Sequence, residues 1–466
     1  MTDSDGESQL VQDLERRFYD DDFAAVPDRT VDATDHGATP DGETRCTVSI
    51  QDAIDTVADA GGGVVRLPEG TYLSGALFLQ SNVELRIEAG ATLKAVQDDD
   101  AYPNRETRVA GIEMEWPAAL VNAYEVSNVG VTGEGTIDGN GEYWWEKFND
   151  MRGDYEDRGL RWAVDYDCER VRPLVAYESE DVLFRDFTVE RQGFWAVTMT
   201  YCDGVHVDGL TVRGNVGGYG PSTDGINTDS SRNVLVEDCD VAGNDDCLCL
   251  KAGRDADGLR VDRPTENVVY RHCRTGEGGG LVTIGSETAG GIRNVEAYDI
   301  HGEGTSTGIR FKSAKVRGGV IENLTFRDLS VEGARTVFEW NLDWHPDYSY
   351  PTIPDDVPES EYQPHWEVMT TPVEPPERGI PEFRDITVEN VRATDTDRDA
   401  FFVNGYAEKP ISRVAFADVD VEAPDAGSIA HAADWTMTDV TVRTPDGEGV
   451  DTEDCERVDL PETVSQ

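Results

Sequence analysis

The chain has 466 residues, with 94 acidic against 40 basic side chains and a formal net charge of −54. Such a surface repels nucleic acid and anionic lipid, so neither is expected as a partner. The length suits two or three ordinary domains or one extended repeat domain, and no stretch is apolar enough to span a membrane. The acids run through patterned segments and are not gathered in a tail, and only six of the basic residues are lysine. That composition suits a protein kept soluble where concentrated salt screens self-repulsion, and it points to a salt-loving source. The eight cysteines are scattered without a CxxC pair, which reads as buried free thiols and gives no metal or cofactor site.

The opening MTDSDGESQL has no basic head and no apolar run, and Arg16-Arg17-Phe18 is followed by Tyr-Asp-Asp-Asp, which is not a signal core. A cytoplasmic protein is expected, with a partly flexible segment at 1–30 and a single domain over 31–460. Residues 47–60 (TVSIQDAIDTVADA) place apolar side chains at helical spacing and end at Gly61-Gly62-Gly63, a stop signal. Short alternating runs follow: SNVELRIE, EDVLFRDFTVE, DGVHVDGLTV, RNVLVEDCDV and IENLTFRDLSV. Their period, roughly 23 to 34 residues, is that of a repeat architecture. A unit this short cannot bury its own apolar face, and stacking on the next unit does so. The expectation is an all-β chain, a right-handed parallel β-helix of ten or so coils. The helix at 47–60 caps its open N-terminal end. A propeller would need longer, more regular blades of about 40–50 residues.

The segment GPSTDGINTDSSRNVLVEDCDVAGNDDCLCLKAG, residues 220–253, holds Thr223-Asp224, Thr228-Asp229 and Asp245-Asp246. Residues one coil apart stack about 4.8 Å from one another. Twenty-one residues separate Asp224 from Asp245, a plausible short coil, whereas sixteen from Asp229 is tight. Asn227 to Ser231 reads as a turn satisfied by its own side chains. The spacing therefore stacks Asp224 on the Asp245-Asp246 pair and leaves Asp229 outside. Three carboxylates in a column cannot all ionise cheaply, so one pKa is expected to rise while the others stay low, as glycoside hydrolysis requires. Solvated turn acids or a calcium site are the competing readings. A second cluster, GIRFKSAKVRGG at 308–319, carries Arg310 and Lys312 on one strand face, with Lys315 and Arg317 close behind. A cationic patch on so acidic a chain suggests an anionic ligand group.

From about residue 34 to about 345 the chain resembles the family 28 glycoside hydrolases, the polygalacturonases and their relatives. Ser222-Thr223-Asp224 matches the family's Asn-Thr-Asp motif, Asp245-Asp246 its Asp-Asp pair, and Arg310-Phe311-Lys312 its Arg-Ile-Lys motif. The resemblance implies a right-handed parallel β-helix that hydrolyses α-galacturonosyl bonds with inversion, without a cofactor. It makes Asp245 the general acid, Asp224 and Asp246 the groups that position and activate water, and Arg310 and Lys312 the ligands of a galacturonate carboxylate. The substrate it implies is a galacturonate-containing oligosaccharide. Where the family carries Gly-His-Gly this chain reads Gly276-Glu277-Gly278-Gly279-Gly280, so Glu277 or backbone stands in for the histidine. Relatives that cleave rhamnogalacturonan share that loss, which leaves the choice of substrate open. Ser222 and Glu287, the latter from Gly285-Ser286-Glu287, join the candidate substrate-binding residues. The aromatic, proline-rich stretch 338–366 interrupts the repeat, either as a loop closing the cleft for chain-end trimming or as a packed side loop. A lyase and a non-catalytic carbohydrate-binding solenoid are the alternatives on the same scaffold.

Overall fold

The computed structural model describes residues 7–20 and 23–465. It is a right-handed parallel β-helix. One face is a sheet of twelve parallel strands in chain order, from Leu77–Phe78 to Asp451–Glu453. The other strands of the coils join in a second hydrogen-bonded set of 23. Inward positions repeat from coil to coil: Ile309 pairs with Phe338, and Phe338 with Phe401. Those rings stack through the core, Phe311 on Trp340 at 4.5 Å and Phe338 on Phe401 at 5.0 Å.

The recurring Asp and Asn of the short runs have a backbone cause. Asn233, Asn267, Asn294 and Asn323 occupy the same corner of successive coils with φ of 55°, 58°, 55° and 56°. Asn tolerates this left-handed conformation better than most L-residues. The side-chain amides of Asn267, Asn294 and Asn323 each donate to the Asn one coil earlier, at 3.1, 3.1 and 3.4 Å. The corner residue thus sets the turn and ties adjacent coils together.

Thr47–Asp59 is the expected capping helix, and its Ile50, Ile54 and Val57 are fully buried against the first coils. Each such burial contributes about 1.5–3 kcal/mol. A second helix, Gln9–Phe18, lies inside the segment expected to be partly flexible. Ser8 caps it, its oxygen accepting from the Val11 amide at 3.2 Å. Val11, Leu14 and Phe18 then pack on outward-facing Leu235, Val269 and Tyr298. Residues 1–6 and 21–22 of that segment lie outside the described residues.

Besides the short helix Asp255–Val261, three longer excursions interrupt the coils among the described residues. They are the antiparallel hairpin Asn104–Val109 with Ile112–Pro117, the helix Glu142–Asp157 with the turns that follow it to Asp167, and residues 342–380 with helices Pro346–Ser349 and Pro364–Thr370. They share a second apolar core that includes Trp116, Trp162, Phe194, Tyr348 and Trp366. Among the described residues no helix is long and apolar enough to cross a membrane.

Candidate active site

The site rises from the middle of the twelve-stranded face. Strands Ile226–Asp229, Leu248–Lys251, Val282–Ile284 and Thr307–Lys312 are successive neighbours there. Ile226, Leu248, Val282 and Ile309 pair in register and point into the core, so Asn227, Cys249, Thr283 and Arg310 form the next column, facing out. Asp224 and Asp246 each stand two residues before this inward column, and the Gly225 amide donates to the Asp246 carbonyl at 2.9 Å. The local repeat is the step from Ile226 to Leu248, which is also the step from Asp224 to Asp246. Asp246 therefore lies over Asp224, and Asp245 sits one position earlier at the pocket wall. Asp224 thus stacks on the Asp245-Asp246 pair as expected, with a coil step one residue longer than the Asp224-to-Asp245 spacing considered from the sequence.

Asp246 is fully buried and saturated. It accepts from Lys312 Nζ at 2.5 Å, Thr283 Oγ1 at 3.0 Å and an Arg310 guanidinium nitrogen at 3.2 Å. Asp245 is half-buried, and its Oδ1 accepts from the Asp246 amide at 2.9 Å. Asp224 is 3% exposed, with Lys251 Nζ at 3.6 Å from its Oδ2. Burial alone would raise Asp246, but the Lys312 ammonium and the Arg310 guanidinium outweigh it and hold Asp246 well below the usual carboxylate range. Desolvation and then the Asp246 charge push Asp245 up. Desolvation and then Asp245 push Asp224 well up, against Lys251. Two of the three acids are thus raised and one is held low, where a single raised group was expected. The low one is the acid flanked by two cations.

Arg310 and Lys312 stand at Asp246, so their first contact is that carboxylate. Arg310 Nε is buried and faces Glu339 at 3.6 Å without a hydrogen bond. Lys315 pairs with Glu408 at the surface at 3.0 Å, and Arg317 is buried on Asp255. Ser222 and Glu287 do reach the pocket. The Ser222 hydroxyl donates to Asp165 at 3.1 Å. Lys251 and Arg317 hold Glu287 down to about 2 against its burial. Glu277 does not reach the pocket. It is exposed and contacts Asn215 at 3.4 Å. The glycines after it fill the space instead: a Cβ on Gly279 would lie 3.0 Å from both Asp246 Oδ1 and an Arg310 nitrogen. Asp229 is neither solvated nor in a turn. It ends the strand Ile226–Asp229, 1% exposed, paired with fully buried Arg108 at 3.0 Å.

The pocket itself is small, about 80 Å³, and the excursions wall it. Ala110 comes from the hairpin, Arg161 and Asp165 from the turns after the long helix, and Trp344 and Tyr348 from residues 342–380. Stretch 338–366 therefore both lines the pocket and packs a side core. Lys312 Nζ lies 4.6 Å from the Trp344 ring and Lys251 Nζ 4.6 Å from the Trp195 ring. Sequence reasoning passed over Lys251, although lysine is scarce enough here to have flagged it. It had no means of placing residues from the excursions.

A family model described as "Glycosyl hydrolases family 28" matches residues 65–337. A "Probable polygalacturonase" of Vitis vinifera is 28% identical over 431 residues, covering 90% of this chain and 79% of its own. An "Exo-poly-alpha-D-galacturonosidase" of Dickeya chrysanthemi is 25% identical over 458 residues, covering 90% of this chain and 71% of its own. The backbone is similar to that of a hyperthermoactive exopolygalacturonase from Thermotoga maritima, with a TM-score of 0.74, 24% identity and 98% of each chain covered.

Proposed function

The chain belongs to glycosyl hydrolase family 28 and is a glycosidase, and from that premise we propose that it cleaves α-galacturonosyl linkages of pectin-derived oligosaccharides from the chain end, with inversion. The observation that carries the reading is the three-acid site, with Asp246 clamped as an anion by Lys312 and Arg310 and Asp245 raised beside it. An acid that keeps its proton next to carboxylates that orient water is the equipment of glycoside hydrolysis. Asp245 protonates the glycosidic oxygen as the bond to the anomeric carbon breaks. Asp224 and Asp246 hold the water that attacks that carbon. Lys312, which reaches the pocket, offers its ammonium to a sugar carboxylate, and Arg310 stands behind it on Asp246 and Glu339.

Chain-end action is supported by what happens to the groove on the N-terminal side. Outward-facing Thr198, Thr200 and Asn227 of the preceding strands would floor an open cleft. They are buried, with unpaired side-chain polar atoms, and Arg108 of the hairpin locks onto neighbouring Asp229. The polygalacturonase relatives of the Vitis and Dickeya proteins' kind support the substrate class. The test is product analysis in concentrated salt with oligogalacturonides and with rhamnogalacturonan fragments. Galacturonic acid as the sole early product from oligogalacturonides supports the reading. Cleavage of the rhamnogalacturonan fragments alone replaces it with the rhamnogalacturonan hydrolase that the missing histidine allows. Release of mixed internal oligomers removes the chain-end assignment.

A further inference from the structure

The three acids are unequally supplied with cations. Asp246 has Lys312 at 2.5 Å and Arg310 at 3.2 Å. Asp245 has no ion-pair partner among the described residues. Asp224 has one, Lys251 at 3.6 Å. Lys251 and Lys312 are the two buried lysines of the six. Lys251 is fixed from three sides: Glu287 Oε2 at 3.1 Å, the Gly285 carbonyl at 3.4 Å and the Trp195 ring at 4.6 Å. Glu287 is in turn held by the Ser286 hydroxyl at 2.8 Å. A buried ammonium needs one good counter-charge, and Glu287 already supplies it. Its approach to Asp224 is a second contact, in the wall of the reaction pocket.

We infer that Lys251 is a positioning residue: clamped by Glu287 and Trp195, its ammonium 3.6 Å from Asp224 opposes the drive of Asp224 towards its neutral form and so makes Asp224 the acceptor of the water proton. This rests on the hydrolytic reading above. Asp246 is a poor acceptor, because Lys312, Arg310 and Thr283 already occupy its oxygens. In the step, the water oxygen bonds to the anomeric carbon and the bond from that carbon to the leaving oxygen breaks. The leaving oxygen takes the proton of Asp245, and the water proton passes to Asp224. Solvent then removes the proton from Asp224 and returns one to Asp245. The charged and titratable groups facing Asp224 are Asp245, Asp246, Lys251, Lys312 and the buried thiols of Cys247 and Cys249, with Glu287, Asp165, Arg161 and Tyr348 in the same pocket. Without Lys251 the acids dominate this set and drive Asp224 towards its neutral form.

The test is a pair of variants with opposite signs. Lys251→Met removes the cation, and the acidic limb of kcat/KM should move to higher pH by about 1 unit or more, as expected for a unit charge within about 4 Å. Glu287→Gln leaves Lys251 to Asp224 alone and should move that limb to lower pH. Lys251→Arg should restore it. A lysine that merely packs would give no opposed shifts. Limbs that move together, or stay fixed while only KM rises, overturn the inference. Should Lys251→Met not fold, Glu287→Gln alone decides it by the sign of its shift. Should the wild-type protein hydrolyse no galacturonide, the preceding reading fails by itself. The inference is then judged by ¹³C-carboxyl titration of labelled Asp, with Asp224→Asn used to assign the signal, and it falls if the Asp224 titration is the same in Glu287→Gln.

Discussion

Replacing Lys312 with methionine isolates the electrostatic frame of the site. The ammonium lies 2.5 Å from Asp246 Oδ2, with both side chains buried, and Arg310 at 3.2 Å is the other cation on that carboxylate. Removing one partner of a buried ion pair costs about 3–5 kcal/mol, because the survivor remains desolvated. The loss depends on pH with a definite sign. Asp246 is held below its ordinary value in the folded state. Its contribution to stability is therefore full above the unfolded carboxylate value of about 3.9 and fades as pH falls through the lower folded value. In Lys312→Met the depression shrinks and Asp246 takes a proton more readily. The deficit against wild type should be largest near neutrality and narrow below about pH 4. Activity should fall by at least about 100-fold, since water is no longer oriented by a firmly ionised Asp246. The assay is urea unfolding of wild type, Lys312→Met and Lys312→Arg in the same concentrated salt, near pH 7 and well below the unfolded carboxylate value, at about pH 2.5, with kcat/KM measured in parallel. No deficit at neutral pH, or one that does not change with pH, refutes the reasoning.

Arg108→Ala strips the partner from Asp229, which is 1% exposed. It should cost about 3–5 kcal/mol and lengthen the early products by loosening the hairpin plug, as chromatography of digests would show. Phe18→Ala removes a ring 3% exposed that stacks on His206 at 5.2 Å. A loss of about 3–5 kcal/mol should appear as faster hydrogen exchange over residues 9–18 with kcat unchanged. With a net charge of −54, the melting temperature should rise steadily with KCl up to molar concentrations as screening grows. A melting temperature independent of salt would contradict the expected role of the acidic surface.

The coil repeat was legible because it has a local cause. Asn233, Asn267 and Asn294 recur at left-handed corners, each followed at once by a buried Val. The acids were legible because a single short coil fits between Asp224 and Asp246. Which member of the pair lies over Asp224 was not fixed by spacing, because coil length varies: the step from Leu248 to Val282 is much longer than the step from Ile226 to Leu248. Asn227–Asp229 resembled a turn because its Asn, Thr and Asp are turn formers. Tertiary context overrode that preference, since Arg108 from a distant hairpin neutralises Asp229 and lets it end a buried strand. Glu277 was a candidate because it stands where the family carries histidine, with backbone as the alternative, and it is the backbone that comes close: two residues later a Cβ would crowd Asp246 and Arg310. Trp344, Tyr348 and Arg161 were out of reach because excursions have no fixed spacing relative to the coils that they cover. The docking of Gln9–Phe18 depended on Leu235, Val269 and Tyr298, an apolar stripe facing outwards on coils far away in sequence.

The most direct measurement is the rate at which galacturonic acid leaves trigalacturonate with Asp245→Asn, set beside wild type at equal substrate affinity and equal melting temperature. Loss of about 100-fold or more with the fold and binding intact is what a proton donor at that position demands. Turnover close to wild type would mean that the stacked acids of the twelve-stranded face do not carry the chemistry.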